Sequence, residues 1–138
     1  MSLSDFHEFR ERMNERVLGA GNLDINRFFA LDSRVYADGA LPAATKELMG
    51  LVASLVLRCD DCITYHMVRC VEEGVRDEDI TETMAVGLVV GGSIVIPHLR
   101  RAVATLDELR AGAPAPPSAP PSVPPSVPAP APPGPDRV

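Results

Sequence analysis

Apolar residues recur at helical spacing along most of the chain. The first stripe follows Ser4, and its members lie three or four residues apart: Phe6, Phe9, Met13 and Val17. This spacing places the side chains on one face of an α-helix, which the Gly-Ala-Gly segment 19–21 would end. A second helical pattern runs from Leu23 to Ala37 and stops at Asp38-Gly39.

Three more helices are predicted by the same pattern. Pro42 is well placed to begin the third helix, whose apolar face is formed by Leu48, Leu51, Val52, Leu55 and Val56. A fourth runs from about Cys59 to Glu73, with Gly74 as its C-terminal cap. Asp79 with Glu82 is similar to a capping box and predicts the start of a fifth helix.

The segment Val86–Ile96 is ambiguous. Its Val and Ile residues favour a strand, and three glycines between residues 87 and 92 each cost a helix about 1 kcal/mol relative to Ala. A single strand would have no pairing partner, whereas small residues let helices approach closely, so we expect two helices broken at Gly91-Gly92. The last helix then runs from about Ser93 to Arg110. The sequence thus predicts one compact all-α domain of about six helices over residues 1–111.

A shift in composition ends this domain. Of the 14 prolines, 12 lie between Pro114 and Pro135, and a Pro-Pro-Ser-X repeat spans residues 116–127. A segment with so little to bury predicts a disordered or polyproline-II-like tail over residues 112–138. Its function would be that of a solvated spacer or of a docking segment for a partner.

Charge and hydropathy exclude several classes of function. The chain has a net charge of −6 and one lysine, Lys46, so it lacks the clustered basic residues that bind phosphate backbones. We expect no nucleic-acid partner. The N-terminus has no apolar secretory segment, and the longest apolar run, Ala85–Pro97, falls short of the roughly 20 residues that span a bilayer. The sequence therefore predicts a cytoplasmic protein without a membrane partner.

The cysteines carry the candidate chemistry. An odd count of three, with no export signal, favours reduced thiols over a disulfide framework. Cys59 and Cys62 form a C-x-x-C pair, and His66 follows four residues later. On one helix these positions share a face within about 11 Å, so the thiols can reach each other and Cys62 can reach His66. A helix N-terminus or a nearby base increases the supply of thiolate, the form that attacks peroxides and disulfides.

With Glu47, these residues resemble a known signature. Glu47, Cys59-x-x-Cys62 and His66 are similar to the E…C-x-x-C-x-x-x-H pattern of the alkylhydroperoxidase D-like proteins within the carboxymuconolactone decarboxylase superfamily. The similarity covers roughly residues 41–109. It implies an all-helical fold that assembles into a homo-oligomer, a trimer or hexamer. It also implies a thiol-dependent peroxidase or thiol–disulfide oxidoreductase of antioxidant defence.

The resemblance implies a catalytic role for each of the four residues. Cys62 would be the peroxidatic cysteine that becomes a sulfenic acid, and Cys59 would condense with it to a disulfide. Glu47 and His66 would form the relay that removes the proton from Cys62. The substrate would be a hydroperoxide and the reductant a lipoyl-type or thioredoxin-like dithiol, with no cofactor and no metal.

Asp61 departs from the family pattern, which has a histidine at this position in the best-studied members. Asp60 and Asp61 oppose formation of a thiolate, whereas Arg58 and the helix N-terminus favour it. A general thiol–disulfide oxidoreductase therefore remains beside the peroxidase as an interpretation.

Other interpretations remain open on the sequence alone. The C-x-x-C pair is also half of a zinc site, although Cys70 would lie about 16 Å from Cys59 along one helix and could not complete it. We expect Cys70 to be a buried small hydrophobe and His98 a helix-start or interface histidine. The other two alternatives are decarboxylase or lactone chemistry like that of the other superfamily branch, and a non-enzymatic helical scaffold with a docking tail.

Overall fold

The computed structural model describes residues 2–112, and this part of the chain is helical without a β-strand. The prediction of an all-α fold of about six helices is confirmed. None of the helices in this range is long and apolar enough to cross a membrane. The helices are α1 Leu3–Gly19, α2 Leu23–Tyr36, α3 Ala43–Leu57, α4 Asp60–Glu72, α5 Asp77–Gly91 and α6 Ile96–Gly112, with a 3₁₀ turn at Ser93–Val95. The predicted tail, apart from Gly112, lies outside the described residues.

The starts of α5 and α6 differ from the predicted positions: α6 begins at Ile96 rather than about Ser93, because a 3₁₀ turn occupies Ser93–Val95. Helix α1 is capped by Ser2: the Ser2 hydroxyl accepts a hydrogen bond from the Asp5 N–H, and the Asp5 carboxylate accepts one from the Ser2 N–H. Helix α5 begins at Asp77, with Arg76 at the N-cap. The Arg76 guanidinium donates two hydrogen bonds to Asp79 in the first turn. Acidic residues favour this turn through the helix dipole, which lets the helix start earlier than predicted.

The hydrophobic core lies between α3, α4, α5 and α6. Helix α3 packs against α4 and α5, and α4 packs against α6. The fully buried side chains include Leu51, Leu55, Ile63, Met67 and Ile80. In contrast, α1 buries only Phe6 and α2 buries no residue, so these two helices lie on the outside of a four-helix centre. The pairing of α3 with α4 is the one that positions the candidate site.

The ambiguous segment folds as two helices separated at Gly92, as predicted. Gly92 has a positive φ of 79°, which a residue without a Cβ adopts at low cost, and the 3₁₀ turn follows it. A Cβ on Gly87 would lie 3.0 Å from Cδ1 and 3.2 Å from Cβ of Leu55. Gly87 therefore allows α5 to approach α3 closely. The Val and Ile residues of this segment, which favour a strand, would not by themselves predict this contact.

A lysine and an aspartate fasten the end of α2 to the start of α3. The Lys46 ammonium donates hydrogen bonds to the carbonyls of Val35 (2.7 Å) and Ala37 (2.6 Å), near the C-terminal end of α2. The Asp38 carboxylate accepts a hydrogen bond from the Ala43 N–H at the first turn of α3. These contacts hold the end of α2 beside the start of α3, where Glu47 directly follows Lys46.

We expect Gly87→Ala to destabilise the fold. Alanine favours a helix over glycine by about 1 kcal/mol, but Leu55 is wholly buried, and its Cβ, which is fixed to the α3 backbone, would lie 3.2 Å from the added methyl group. Overpacking of this kind costs about 1–3 kcal/mol, so the free energy of unfolding should fall in a urea titration. Gly19→Ala is the matched control, because a Cβ there would contact nothing within 4 Å. If Gly87→Ala proves as harmless as Gly19→Ala, the proposed close approach is wrong.

Candidate active site

The candidate site begins at a tight turn between α3 and α4. Arg58 has left-handed backbone angles (φ 59°, ψ 39°), and Cys59 follows in an extended conformation as the N-cap of α4. The Cys59 N–H donates to the Ser54 carbonyl, and the Cys59 sulfur accepts from the Cys62 N–H at 3.3 Å. Cys59 therefore lies just outside α4, whose first residue is Asp60.

Cys59 and Cys62 are joined by a disulfide bond. Their Cα atoms are 5.2 Å apart, as the turn and the first turn of α4 require. Cys62 is exposed and Cys59 is half-buried. The structure thus brings the two predicted thiols together as an oxidised pair with one sulfur open to reaction partners.

His66 lies one turn after Cys62 and is hydrogen-bonded to Glu47. The His66 Nδ1 atom is 2.8 Å from Oε2 of Glu47, a residue of α3 whose side chain is 2% exposed. A carboxylate can only accept, so Nδ1 is the donor and Nε2 is left as the acceptor of the ring. Glu47 and His66 are thus arranged as an orienting acid and a base.

The imidazole of His66 is enclosed on several sides. The rings of Tyr36 and Tyr65 lie 5.4 Å and 5.2 Å from it, measured between centroids. Its remaining neighbour is Gly50 on α3: a Cβ there would lie 2.7 Å from each ring nitrogen. The position of the base therefore depends on a glycine, which the helical pattern did not single out.

Cys62 and His66 line one cavity of about 380 Å³. Helix α1 supplies its apolar wall, with Phe6, Phe9 and Met13. Its polar lining is formed by Arg10, Asn14, Asp32, Asp61 and Tyr65. A small reactant in this cavity would therefore meet both the exposed sulfur and the candidate base.

The two acidic residues inside the C-x-x-C pair have different surroundings. Asp60 is bound by α6: His98 Nδ1 lies 2.7 Å from Oδ1, and the Arg101 guanidinium donates to Oδ2 at 2.6 Å. Arg101 offsets the negative charge of Asp60 next to the thiols. Asp61 instead lines the cavity beside Cys62. His98, expected near a helix start, is the third residue of α6.

Cys70 is separate from this chemistry. Its side chain is completely buried, as predicted, and burial together with the nearby charges of Glu47 and Glu73 raises the pKa of the thiol to about 12. Cys70 is therefore uncharged at neutral pH and packs as a small hydrophobe. Within residues 2–112, no three His, Cys, Asp or Glu side chains are grouped so that they could hold a metal ion.

Arg69 is a further residue of the site that the sequence analysis missed. It follows His66 by three positions, which places it on the same face of α4. Its Nε atom lies 3.6 Å from Oε1 of Glu47, the oxygen that His66 does not use. In the sequence, the spacing of three residues from His66 is the one signal that could have indicated Arg69.

Comparison with known proteins identifies the class to which this fold and site belong. The Carboxymuconolactone decarboxylase family matches residues 26–105, a range that contains all four predicted site residues. An uncharacterised protein encoded in the cox locus of Paracoccus denitrificans is 35% identical over 82 residues, covering 59% of this chain and 74% of that protein. The chain therefore belongs to the carboxymuconolactone decarboxylase family.

Solved structures agree with this assignment. A crystal structure from Thermotoga maritima has a TM-score of 0.75 and 64% sequence identity, and the match covers 78% of this chain and 91% of that one. That protein is described as a carboxymuconolactone decarboxylase family protein "possibly involved in antioxidative response". A family member from Legionella pneumophila is 26% identical with a TM-score of 0.57, covering 76% of this chain and 87% of its own.

We expect Gly50→Ala to displace the imidazole of His66 from Glu47. The added methyl group would overlap the ring nitrogens, so the buried carboxylate would lose its hydrogen bond and the free energy of unfolding should fall by about 1–3 kcal/mol. The measurement is a denaturant titration, with the Nδ1–H proton resonance of His66 as a direct readout of the hydrogen bond.

A double-mutant cycle provides the control. In a His66→Ala background the ring is absent, and the cost of Gly50→Ala should largely disappear. An equal cost in both backgrounds would show that Gly50 serves a purpose unrelated to the ring.

Proposed function

We propose that the protein is a thiol-dependent oxidoreductase that reduces a hydroperoxide through Cys62 and Cys59. The observation that carries the proposal is the Cys59–Cys62 disulfide beside a histidine that is hydrogen-bonded to a buried carboxylate and lines the same cavity as Cys62. The family assignment and the antioxidative role suggested for the Thermotoga maritima protein support it. A dithiol pair also favours redox chemistry over a decarboxylase reaction, which needs no cysteine pair.

In the first step, the reduced enzyme would cleave the peroxide bond. His66 Nε2 takes the proton of the Cys62 thiol, and the thiolate attacks one peroxide oxygen. An S–O bond forms and the O–O bond breaks. The alkoxide leaving group takes the proton back from the imidazolium and leaves as an alcohol, while Cys62 becomes a sulfenic acid.

In the second step, the two cysteines would form the disulfide. The Cys59 sulfur attacks the Cys62 sulfur, an S–S bond forms, and the hydroxyl of the sulfenic acid leaves with the Cys59 proton as water. An external dithiol of the lipoyl or thioredoxin-like type then returns two electrons and two protons by disulfide exchange. Because the cycle needs a compartment that keeps such a dithiol reduced, we place the protein in the cytoplasm.

The cavity indicates which peroxides would react. Phe6, Phe9 and Met13 form an apolar wall opposite the polar side of the cavity. An organic hydroperoxide of small or moderate size would place its apolar part on this wall and its peroxide group at Cys62. This arrangement favours an alkyl hydroperoxide over hydrogen peroxide.

We expect a stoichiometric alkyl hydroperoxide to lower the number of free thiols in the fully reduced chain from three to one. Cys59 and Cys62 would form the disulfide, while Cys70 stays a buried, uncharged thiol. Alkylation under denaturing, metal-free conditions followed by intact mass counts the remaining thiols.

Single substitutions assign the thiols. Cys62→Ser should abolish the loss of thiols and reduce peroxide turnover at least about 100-fold, because the sulfur that attacks the peroxide is absent. Cys70→Ser is the matched control and should leave turnover intact. Three unchanged thiols in the native protein, or normal turnover in Cys62→Ser, would refute the proposed function.

We also propose that the chain assembles into a homo-oligomer. Helix α2 leaves an apolar set uncovered, with exposures of 45–68%: Leu23, Phe28, Leu31 and Val35. The ends of α3 and α5 expose Leu57 (75%), Val89 (83%) and Val90 (66%). Apolar side chains uncovered at this extent typically mark protein interfaces.

The molar mass in solution tests the assembly. Size exclusion with light scattering should show a trimer or hexamer for the full chain. Val89→Glu should reduce this mass, because a charge would be buried in the interface, whereas Val89→Ile at the same position should not. A native chain that is monomeric at micromolar concentration would contradict the proposal.

A further inference from the structure

The buried carboxylate of the site contacts two basic side chains. Oε2 of Glu47 accepts the hydrogen bond from His66, and Oε1 lies 3.6 Å from the Arg69 Nε atom. The Glu47 side chain is 2% exposed and that of His66 11%, so water screens their contact weakly, whereas the Arg69 side chain is 36% exposed. The positive charge of Arg69 therefore acts on the pair formed by Glu47 and His66 through a partly screened contact.

Arg69 is held at this place by its own helix. Its two terminal nitrogens donate hydrogen bonds to Glu72 (2.6 Å) and Glu73 (3.1 Å). With both ends of the guanidinium occupied, Nε is the nitrogen that faces Glu47. These two contacts orient the guanidinium so that Nε faces the buried carboxylate.

Other charged groups face the pair from the neighbouring elements. Glu47 and Arg69 line a second cavity of about 640 Å³ together with His7 and Arg10 of α1, and with Asp32 and Asp38 in and after α2. Tyr36 and Tyr65 also line it. Arg10 lies over the Tyr65 ring, 4.3 Å from its centroid. Among the described residues, Arg69 is the one arginine within ion-pair distance of Glu47.

We propose that Arg69 is a positioning residue that sets the proton affinity of the Glu47–His66 pair. A cation beside an acid–base pair disfavours binding of another proton, so Arg69 opposes the protonation of His66 at Nε2 that the carboxylate of Glu47 favours. Without Arg69, the carboxylate of Glu47 would stabilise the imidazolium of His66 with no neighbouring arginine to oppose it. His66 would then hold its proton to higher pH. The inference rests on the proposed function, since it is as a base for Cys62 that His66 must be unprotonated.

The test is a titration of the histidines by NMR in the oxidised full chain. In this form no cysteine thiolate of the pair contributes to the titration. Arg69→Met and Arg69→Gln should each raise the midpoint of the His66 titration by at least about half a pH unit. Gln retains hydrogen-bond donors without charge, so equal shifts in both variants would assign the effect to the charge.

Matched controls are available within the chain. Arg76→Met removes an arginine that also binds a carboxylate three residues away, Asp79, but does so on α5 away from Glu47. It should leave the His66 midpoint unchanged, and His98, which pairs with Asp60, serves as an internal reference in each spectrum. An unshifted His66 in both folded Arg69 variants, or the same shift in Arg76→Met, would overturn the proposal.

A second measurement separates this inference from the function on which it rests. On reduced protein, the rate at which iodoacetamide alkylates Cys62 is recorded against pH, and its midpoint should rise in Arg69→Met by a similar amount. A shifted His66 in a chain without peroxide turnover would support the role of Arg69 and refute the peroxidase. Peroxide turnover in the native chain with no shift in the variants would refute the role of Arg69 alone.

Discussion

The hydrogen bond between Glu47 and His66 is the contact on which the rest of the site depends. An ionised carboxylate that is almost inaccessible to water is stable only if other groups replace its hydration. Those groups, His66 and Arg69, both lie on α4, whereas Glu47 lies on α3. The buried acid therefore specifies how the two helices sit against each other, and Gly50 must stay small so that the imidazole fits between them.

The start of α4 combines opposing electrostatic effects on the redox pair. The partial positive charge of a helix N-terminus favours a thiolate at Cys62, and two aspartates in the same turn oppose it. Helix α6 reduces that opposition, because Arg101 and His98 bind Asp60. Asp61 instead lines the cavity beside Cys62. The electrostatic surroundings of the cysteine pair thus depend both on α4 and on α6, a distant part of the chain.

The parts of the structure that follow from local pattern could be predicted from the sequence. Periodicity predicted the helices, and the spacing of Cys59, Cys62 and His66 placed them on one helix face, because helix geometry depends on near neighbours. Gly50 could not be found this way, and the spacing that places Arg69 on the helix face of His66 does not indicate its contact with Glu47. Their contacts depend on how α3 packs on α4, a relation between distant segments that periodicity does not encode. The left-handed turn at Arg58 was missed for a related reason, since residues other than glycine rarely adopt it.

That turn has a mechanical consequence. Only Arg58 and Cys59 connect α3 to α4, and the Cys59 backbone is tied to α3 through its hydrogen bond to Ser54. The backbone of Cys59 is therefore anchored to α3, and the sulfur–sulfur bond links the first turn of α4 to the helix that carries the buried acid.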